Sequence, residues 1–306
     1  MRGLNPRQIE AFRALMLAGS VGSAASLLNV SQPAISRMIR DFQHQVGLAL
    51  FERRGTRLVP TSEALSLYAE VERAFVGLEH IAKTATELRT RRAGFLRIAA
   101  LPALANGFLP RFAGRFAAER PRLDLVLSGL VSHAVLNAVV QGQCDLGFAE
   151  ATFEHAAVRA ERMPTAPYVA VLPQGHRLAG KAKLRPKDFE GENFVSLGPS
   201  TVSRFRADRL FAEHGVTRIQ RIETPLSEIA CALVASGVGV ALCEPFTAHE
   251  YSTRGIVVRP FEPRVDFEFA VLYAATQRLS APAREFIDGF RAYVTDFLRR
   301  QAWRSK

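Results

Sequence analysis

The chain is poor in cysteine, short of acid and free of long apolar runs. Its 306 residues include only Cys144, Cys231 and Cys243. So sparse and odd a count excludes a disulfide framework, and no two lie close enough in sequence for a zinc knuckle. They read as buried cytosolic thiols, with a redox pair as the minor alternative. No apolar stretch reaches the roughly 18 residues a membrane span needs. The uncharged run Ala14 to Ser36 follows Arg2, Arg7 and Arg13, but Gly19, Ser20, Gly22, Ser23, Ser26, Asn29, Gln32 and Pro33 interrupt it and Glu10 precedes it. A signal peptide is therefore rejected, and a cytoplasmic protein is expected. Catalytic signatures are missing too: no nucleophile elbow, Walker loop, dinucleotide fingerprint or His-Glu zinc spacing occurs. The seven histidines are scattered, with His80 and His176 reading as surface residues. The expectation is no enzyme, no cofactor and no metal.

The acid deficit is informative. Against 40 Lys and Arg stand 29 Asp and Glu, a net charge of +11. Such an excess attracts polyanions, either nucleic acid or anionic membrane. Its bias to arginine suits phosphate and guanine contacts; a GC-rich genome's preference for arginine is the competing explanation. Residues 1–62 hold eight arginines against three acidic residues, a local excess of +5, and that concentration disfavours codon bias there. Hydrophobic residues make up 48% of the chain, enough for a sizeable core, and the length suggests about two domains.

The first sixty residues read as three helices and a hairpin. Ile9, Phe12, Leu15 and Met16 recur at helical spacing over Arg7 to Leu17. Gly19 to Gly22 reads as a break, and Ser23 to Leu28 as a second short helix whose Ala24 and Ala25 permit close approach. After the turn Asn29-Val30, Ser31 is a good N-cap and Pro33 falls in the first turn, where its missing N–H costs nothing. The third helix, Gln32 to Gln45, buries Ile35, Met38 or Ile39, Phe42 and Val46. Its other face shows Gln32, Ser36, Arg37, Arg40 and Gln43, residue types that pair with base edges. Two short helices with a tight turn, the second polar and basic, make a helix-turn-helix. Two short strands then flank Arg53-Arg54-Gly55-Thr56-Arg57, a wing for phosphates or the minor groove. Candidate DNA contacts are thus Ser31, Gln32, Pro33, Ser36, Arg37, Arg40, Arg53, Arg54 and Arg57; Arg13 reads as a surface charge.

Four stretches, Gln8-Ile9-Glu10-Ala11-Phe12, Ser23-Ala24-Ala25-Ser26-Leu27-Leu28, Ser31-Gln32-Pro33-Ala34-Ile35-Ser36-Arg37 and Leu50-Phe51-Glu52-Arg53, together resemble LysR-type transcriptional regulators. The likeness weakens past residue 95. It implies an α+β chain: an N-terminal winged helix-turn-helix (1–62), a linker helix (63–92) and a two-lobed α/β effector-binding domain resembling periplasmic binding proteins (93–306). Lobe I would hold 93–164 and 269–306, and lobe II 165–268. The partners implied are double-stranded DNA and a small-molecule effector, and RNA polymerase is left open as a further one.

A helix capped by Thr61 or Ser62 should run to about Arg92. Its residues Leu67, Val71, Ala74, Leu78, Ile81, Ala85 and Leu88 form a heptad seam, widened by Ala64, Tyr68, Phe75 and Ala82. The seam argues for a homodimer, and packing on the chain's own body is the alternative. A two-fold dimer matches palindromic half-sites. The resemblance puts the dimer seam here and implies a homotetramer.

Beyond residue 93, strands and helices alternate, implying a mostly parallel sheet covered by helices. Strands are expected at Phe95–Ala100, Leu123–Leu127, Asp145–Ala149, Tyr168–Leu172, Val195–Leu197, Ile219–Glu223, Val238–Leu242 and Phe267–Tyr273. Helices are expected at Gly107–Ala118, Ser132–Gln141, Ser200–His214, Leu226–Ser236 and Ala283–Arg299. The chain crosses between lobes near Met163–Pro167 and Arg264–Glu268, so a ligand should sit between them. Ligands in such sheets lie beyond the carboxyl ends of strands. That rule selects the apolar loop with Pro102, Ala103 and Leu104, then Ser132, Ser196, Ser200, Thr201, Glu223 and Thr224. Ordinary helix capping is the competing role for Ser132, Ser200 and Thr224. Many members of the family place Ser or Thr in the first loop; its apolar character here is similar to regulators of opine and amino-acid catabolism. That likeness implies an amino-acid-like effector or other small carboxylate, whose carboxylate meets Ser132 or Ser200–Thr201 and whose cationic end meets Glu150 or Glu223.

Overall fold

A computed structural model describes residues 3–54, 57–90, 94–152, 155–198, 202–276 and 278–301. The chain folds as two compact units, residues 1–86 and 87–306.

The first unit is built on helix caps. Helix α1 (Pro6–Ala18) starts at Asn5, whose side chain accepts from the Arg7 amide, and stops at Gly19 with φ 69°. Helix α2 (Val21–Leu28) begins two residues earlier than its spacing predicts. Ser20, inside the expected break, is the cap and accepts from the Ser23 amide at 3.1 Å. Helix α3 (Gln32–Val46) is capped by Ser31 and ends at Gly47, φ 71°, where a side chain would be strained. Strands β1 (Phe51–Arg54) and β2 (Arg57–Pro60) pair antiparallel as the wing. Helix α4 (Ser62–Thr90) follows, and Thr61 rather than Ser62 caps it, accepting from the Ala64 amide at 3.2 Å.

Phe12 is the centre of this unit. Its ring lies 5.4 Å from Phe42, 5.9 Å from Phe51 and 6.4 Å from Tyr68, so one side chain joins α1, α3, the wing and α4. Ala24 and Ala25 are buried against it, as their size suggests. The α4 stripe divides along its length. Ala64 and Val71 are buried in this core with Leu67, Tyr68 and Phe75 packed beside them, whereas Leu78 is 55% exposed and Ile81 65%. Packing on the chain's own body thus holds for the first half, and the side chains of Ala82, Ala85 and Leu88, further along the stripe, lie outside the described residues.

The second unit has two lobes. Lobe I centres on a five-stranded sheet. Its strands are β3 (Phe95–Ala100), β4 (Asp124–Gly129), β5 (Leu146–Glu150), β6 (Val158–Arg162) and β14 (Phe269–Ala274), in the order β4-β3-β5-β14-β6. Helix α6 (Phe108–Ala118) and the closing helix α11 (Ala281–Arg300) meet through Phe112, Phe116, Phe286 and Phe290. Helix α7 (Ser132–Val140) packs on Gly147 of β5, where a Cβ would stand 2.7 Å from both Val135 and Val139. A one-turn helix, α5 (Pro102–Ala105), replaces the loop expected there; proline at its first position favours the turn.

Lobe II places β8 (Val169–Pro173) between β11 (Ala241–Cys243) and β12 (Ile256–Pro260). Strands β9 (Asn193–Leu197) and β10 (Ile219–Thr224) form a parallel pair, joined to β11 through the Phe194–Val240 bridge. Helices α8 (Val202–Glu213), α9 (Ser227–Ala235) and α10 (Pro245–Tyr251) complete it. The crossing segments meet as β7 (Ala166–Pro167) and β13 (Asp266–Phe267), an antiparallel ribbon between the lobes. The sheets are mixed rather than mostly parallel. Only β3-β4, β3-β5 and β9-β10 are parallel pairs of strands among the described residues; β8 and β14 enter directly from the hinge ribbon and pair antiparallel with their neighbours.

Phe12→Ala should destabilise the first unit by about 3–5 kcal/mol, the usual cost of deleting a buried aromatic ring. Urea unfolding of the full chain should show that unit's transition moving to lower denaturant while the second unit's stays in place.

Candidate nucleic-acid interface and ligand cleft

In α3 the apolar side, Ile35, Ile39 and Phe42, is buried, and Ser31, Gln32, Pro33, Ser36, Arg37 and Arg40 are all exposed. The helix thus turns one face to the core and offers the other whole. A groove of about 670 Å³ runs between α3 and the wing, walled by Ser20, Ser36, Arg40, Gln43 and Arg53 over Leu15, Ile39 and Phe51. Arg37, Arg40 and Arg53 form no ion pair among the described residues. Arg13 differs: its guanidinium binds Glu72 at 2.6 Å and stacks 4.6 Å over Phe75. It braces α1 against α4. The side chains of Arg54 and Arg57 lie outside the described residues.

Two polar residues of α3 have duties that spacing does not reveal. The Gln43 side-chain oxygen accepts from the Leu50 amide at 2.7 Å and the Phe51 amide at 3.1 Å, fixing where the wing leaves the helix. That removes it from the base-reading set. The Gln32 amide lies over Gly22, where a Cβ would sit 3.2 Å from Nε2. Gly22 leaves room for it.

The second candidate site lies where the two lobes meet the hinge ribbon. Glu150, Thr152, Tyr168, Val202, Arg206, Asp266, Phe267 and Glu268 line a narrow pocket there. Glu150 ends β5 and is half-buried. Burial holds its carboxyl above the usual range, opposed by the positive charge of Arg206. Ser132 is not a helix cap. It is the first residue of α7, Val131 holds the cap position, and its hydroxyl accepts from the Glu150 amide at 3.2 Å. Its role is to fix the end of β5.

The remaining candidates divide. Ser196 is 1% exposed and its hydroxyl has no partner among the described residues. Thr224 is buried and accepts from the Leu226 amide at 3.4 Å, a turn contact, while Leu226 holds the cap position of α9. Glu223 already pairs with Arg204 at 2.8 Å, so its charge is met from within the lobe. Leu104 is fully buried in the lobe core, with Pro102 and Ala103 half-buried beside it. Ser200 and Thr201 lie outside the described residues. Arg206 was missed: in the sequence it is one of several arginines on α8, and only the fold turns it toward the hinge. Cys231 and Cys243 approach to 3.8 Å but are fully buried, and burial with mutual contact pushes the Cys243 thiol up, the opposite of an activated thiolate.

Residues 6–65 match the model of the bacterial regulatory helix-turn-helix proteins of the lysR family, and residues 89–295 match that of the LysR substrate binding domain. This chain belongs to the LysR family of bacterial transcription regulators. It is 41% identical to the octopine catabolism/uptake operon regulatory protein OccR of Rhizobium meliloti, covering 95% of this chain and 96% of that one. It is 37% identical to the transcriptional activator protein LysR of Escherichia coli (strain K12), over 96% of this chain and 93% of that one. The fold of CbnR, a LysR family regulator, aligns with a TM-score of 0.76 at 16% identity, covering 95% of this chain and 99% of that one. The family member is a sequence-specific DNA-binding regulator with an effector-binding domain, and not an enzyme. Among the described residues no helix is long and apolar enough to cross a membrane.

Because its carboxyl is held up by burial, Glu150 favours folding below the ordinary carboxylate range and loses that contribution as pH rises through its own value. Glu150→Gln should therefore melt a few degrees above the wild type at pH 8, with the two curves converging near pH 4. Scanning calorimetry of the ligand-free protein measures both.

Proposed function

We propose that this regulator reads a two-fold operator with paired copies of α3 and is switched by an amino-acid derivative held between its lobes. The observation that carries the DNA half is the set of exposed, unneutralised guanidiniums around the groove. Arg37 and Arg40 stand on the reading face of α3 with Ser31, Gln32, Pro33 and Ser36, and Arg53 stands on the wing. Arg37 would take a base edge, and Arg53, with Arg54 and Arg57, the phosphates. The working division is a DNA head at 1–62, a linker and dimer helix at 63–92 and an effector domain at 93–306. Exposed Leu78 and Ile81 support pairing of two α4 helices, and the family tetramer would add a second pairing. Such a protein acts in the cytoplasm, where the DNA is.

The effector half rests on Glu150, a half-buried carboxylate that no donor among the described residues pairs with. It suits an ammonium or guanidinium group. A relative named for octopine catabolism supports the same class of ligand. Closure of the lobes on the effector would alter packing between subunits and so the spacing of the DNA heads. DNA then binds with and without effector, bent differently in each case.

Arg53→Ala should weaken binding to all duplexes alike and lower the slope of log affinity against log salt by about one unit. Arg37→Ala should instead relax preference at one base position, costing about 1–3 kcal/mol on the best operator. Fluorescence anisotropy across a salt series separates the two. Ile81→Asp should shift the protein toward monomer in sedimentation velocity; an unchanged sedimentation profile would remove the α4 seam from the dimer.

A further inference from the structure

Arg206 is the one cation among the described residues lining the hinge pocket, and its partners there are a carboxylate and a backbone carbonyl. It projects from the second turn of α8, in lobe II. Its Nη2 donates to Glu268 at 2.5 Å, and its Nη1 to the carbonyl oxygen of Asp266. Glu268 is the residue between β13 and β14, the strand that re-enters lobe I, so this pair ties α8 to the root of that strand. Glu268 also receives Arg162 at 3.4 Å. The Asp266 carboxylate is taken by Arg264 at 2.5 Å. Glu150 faces the same pocket with only the field of Arg206 to oppose its burial.

We propose that Arg206 is the receptor for the effector's carboxylate and, in the ligand-free protein, the latch that holds α8 to the hinge through Glu268. This rests on the reading that the cleft takes an amino-acid derivative. The exchange is carboxylate for carboxylate, so the guanidinium keeps a charge-assisted hydrogen bond throughout. Glu268 keeps Arg162 when it is displaced and is not left as an uncompensated charge. The effector's cationic group meets Glu150, which restores the balance that its carboxylate alone would upset. Among the described residues, two other candidates for the carboxylate are occupied or sealed: the Ser132 hydroxyl holds the Glu150 amide, and Ser196 is closed off. The switch follows from the same exchange. A direct tie between the lobes becomes a tie that runs through the ligand, so the separation of the lobes is set by ligand length.

Calorimetric titration of the full-length protein with octopine, L-arginine and L-lysine, each amino acid compared with its C-terminal amide, tests this. In the wild type the acid should bind at least about tenfold more tightly than the amide, since a hydrogen-bonded charge is lost. Arg206→Gln should weaken the acid by roughly tenfold to a hundredfold and leave the amide nearly unchanged, so the preference collapses. Glu268→Gln should do the reverse, tightening the acid several-fold by removing its competitor; a merely structural pair would weaken binding in both variants. If Arg206→Gln still prefers the acid, or Glu268→Gln weakens it, Arg206 is not the receptor and the amino-acid reading of the cleft stands. If none of the three probes binds the wild type, that reading falls and this proposal with it.

Discussion

The organising constraint of this molecule is the neutralisation of guanidinium. The chain carries 11 more positive than negative formal charges, so its carboxylates cannot answer every arginine. What each arginine does follows from whether a carboxylate answers it. Arg13 is spent on Glu72, Arg97 on Asp145, and Arg204 and Arg218 share Asp208. These are bound by geometry that holds helices or strands in place, and removing either partner of the more buried pairs leaves a charge with nothing to oppose it. Arg37, Arg40 and Arg53 have no such partner among the described residues and face outward. A polyanion is the only abundant ligand that answers several of them together, and it does so with release of its own counterions. Arg206 stands between the two groups, answered by a carboxylate that has a second arginine of its own.

The hinge makes that intermediate position useful. Two short strands, β7 and β13, are the only ribbon through which the described chain passes between the lobes. The rest of the lobe contact is made by side chains, such as Phe108 against Phe246 at 4.6 Å and the ion pair of Arg111 with Glu250. Gly107 fits this region for a steric reason: a Cβ there would come within 2.7 Å of Glu250. One side of the cleft is therefore packed tightly, and the side that holds Glu150, Arg206 and Glu268 is joined by an ion pair. A ligand that acts on the second set can move the lobes about the first.

The sequence carried the local parts of this design well. Ser31, Pro33 and Gly47 act within one helical turn of themselves, so α3 and its polar face were legible from spacing alone. The four matching stretches of the head made the family legible too. Tertiary duties were not. Ser20 caps α2, although it falls inside the break expected at Gly19 to Gly22. Gln43 stood on the polar face of α3 with no role assigned, because its distance from the wing amides depends on a hairpin that spacing cannot place. Ser132 stands at a helix start and so looked like a cap; the Glu150 amide that it binds is eighteen residues away in sequence and adjacent only in the sheet. Strand β6 escaped notice because Val158-Arg159-Ala160-Glu161-Arg162 is an edge strand, mostly polar and largely exposed. Helix α10 did so because Glu244-Pro245 reads as the end of a strand as readily as the start of a helix.

Helix α4 shows why head and linker cannot be separated cleanly. Val71 is sealed in the core that Phe12 organises, and Leu78 begins an exposed stripe only two turns further on. The two faces belong to one continuous helical rod without proline, and Gly77, its one glycine, stands at the boundary between them. A rotation of the exposed half that passes Gly77 would reach the ring of Phe12 through Tyr68, and through it α3. An effector that changes how subunits pack would need no wire of side chains to reach the DNA. It would need only to turn the exposed half of that rod, and the buried half carries the reading face with it.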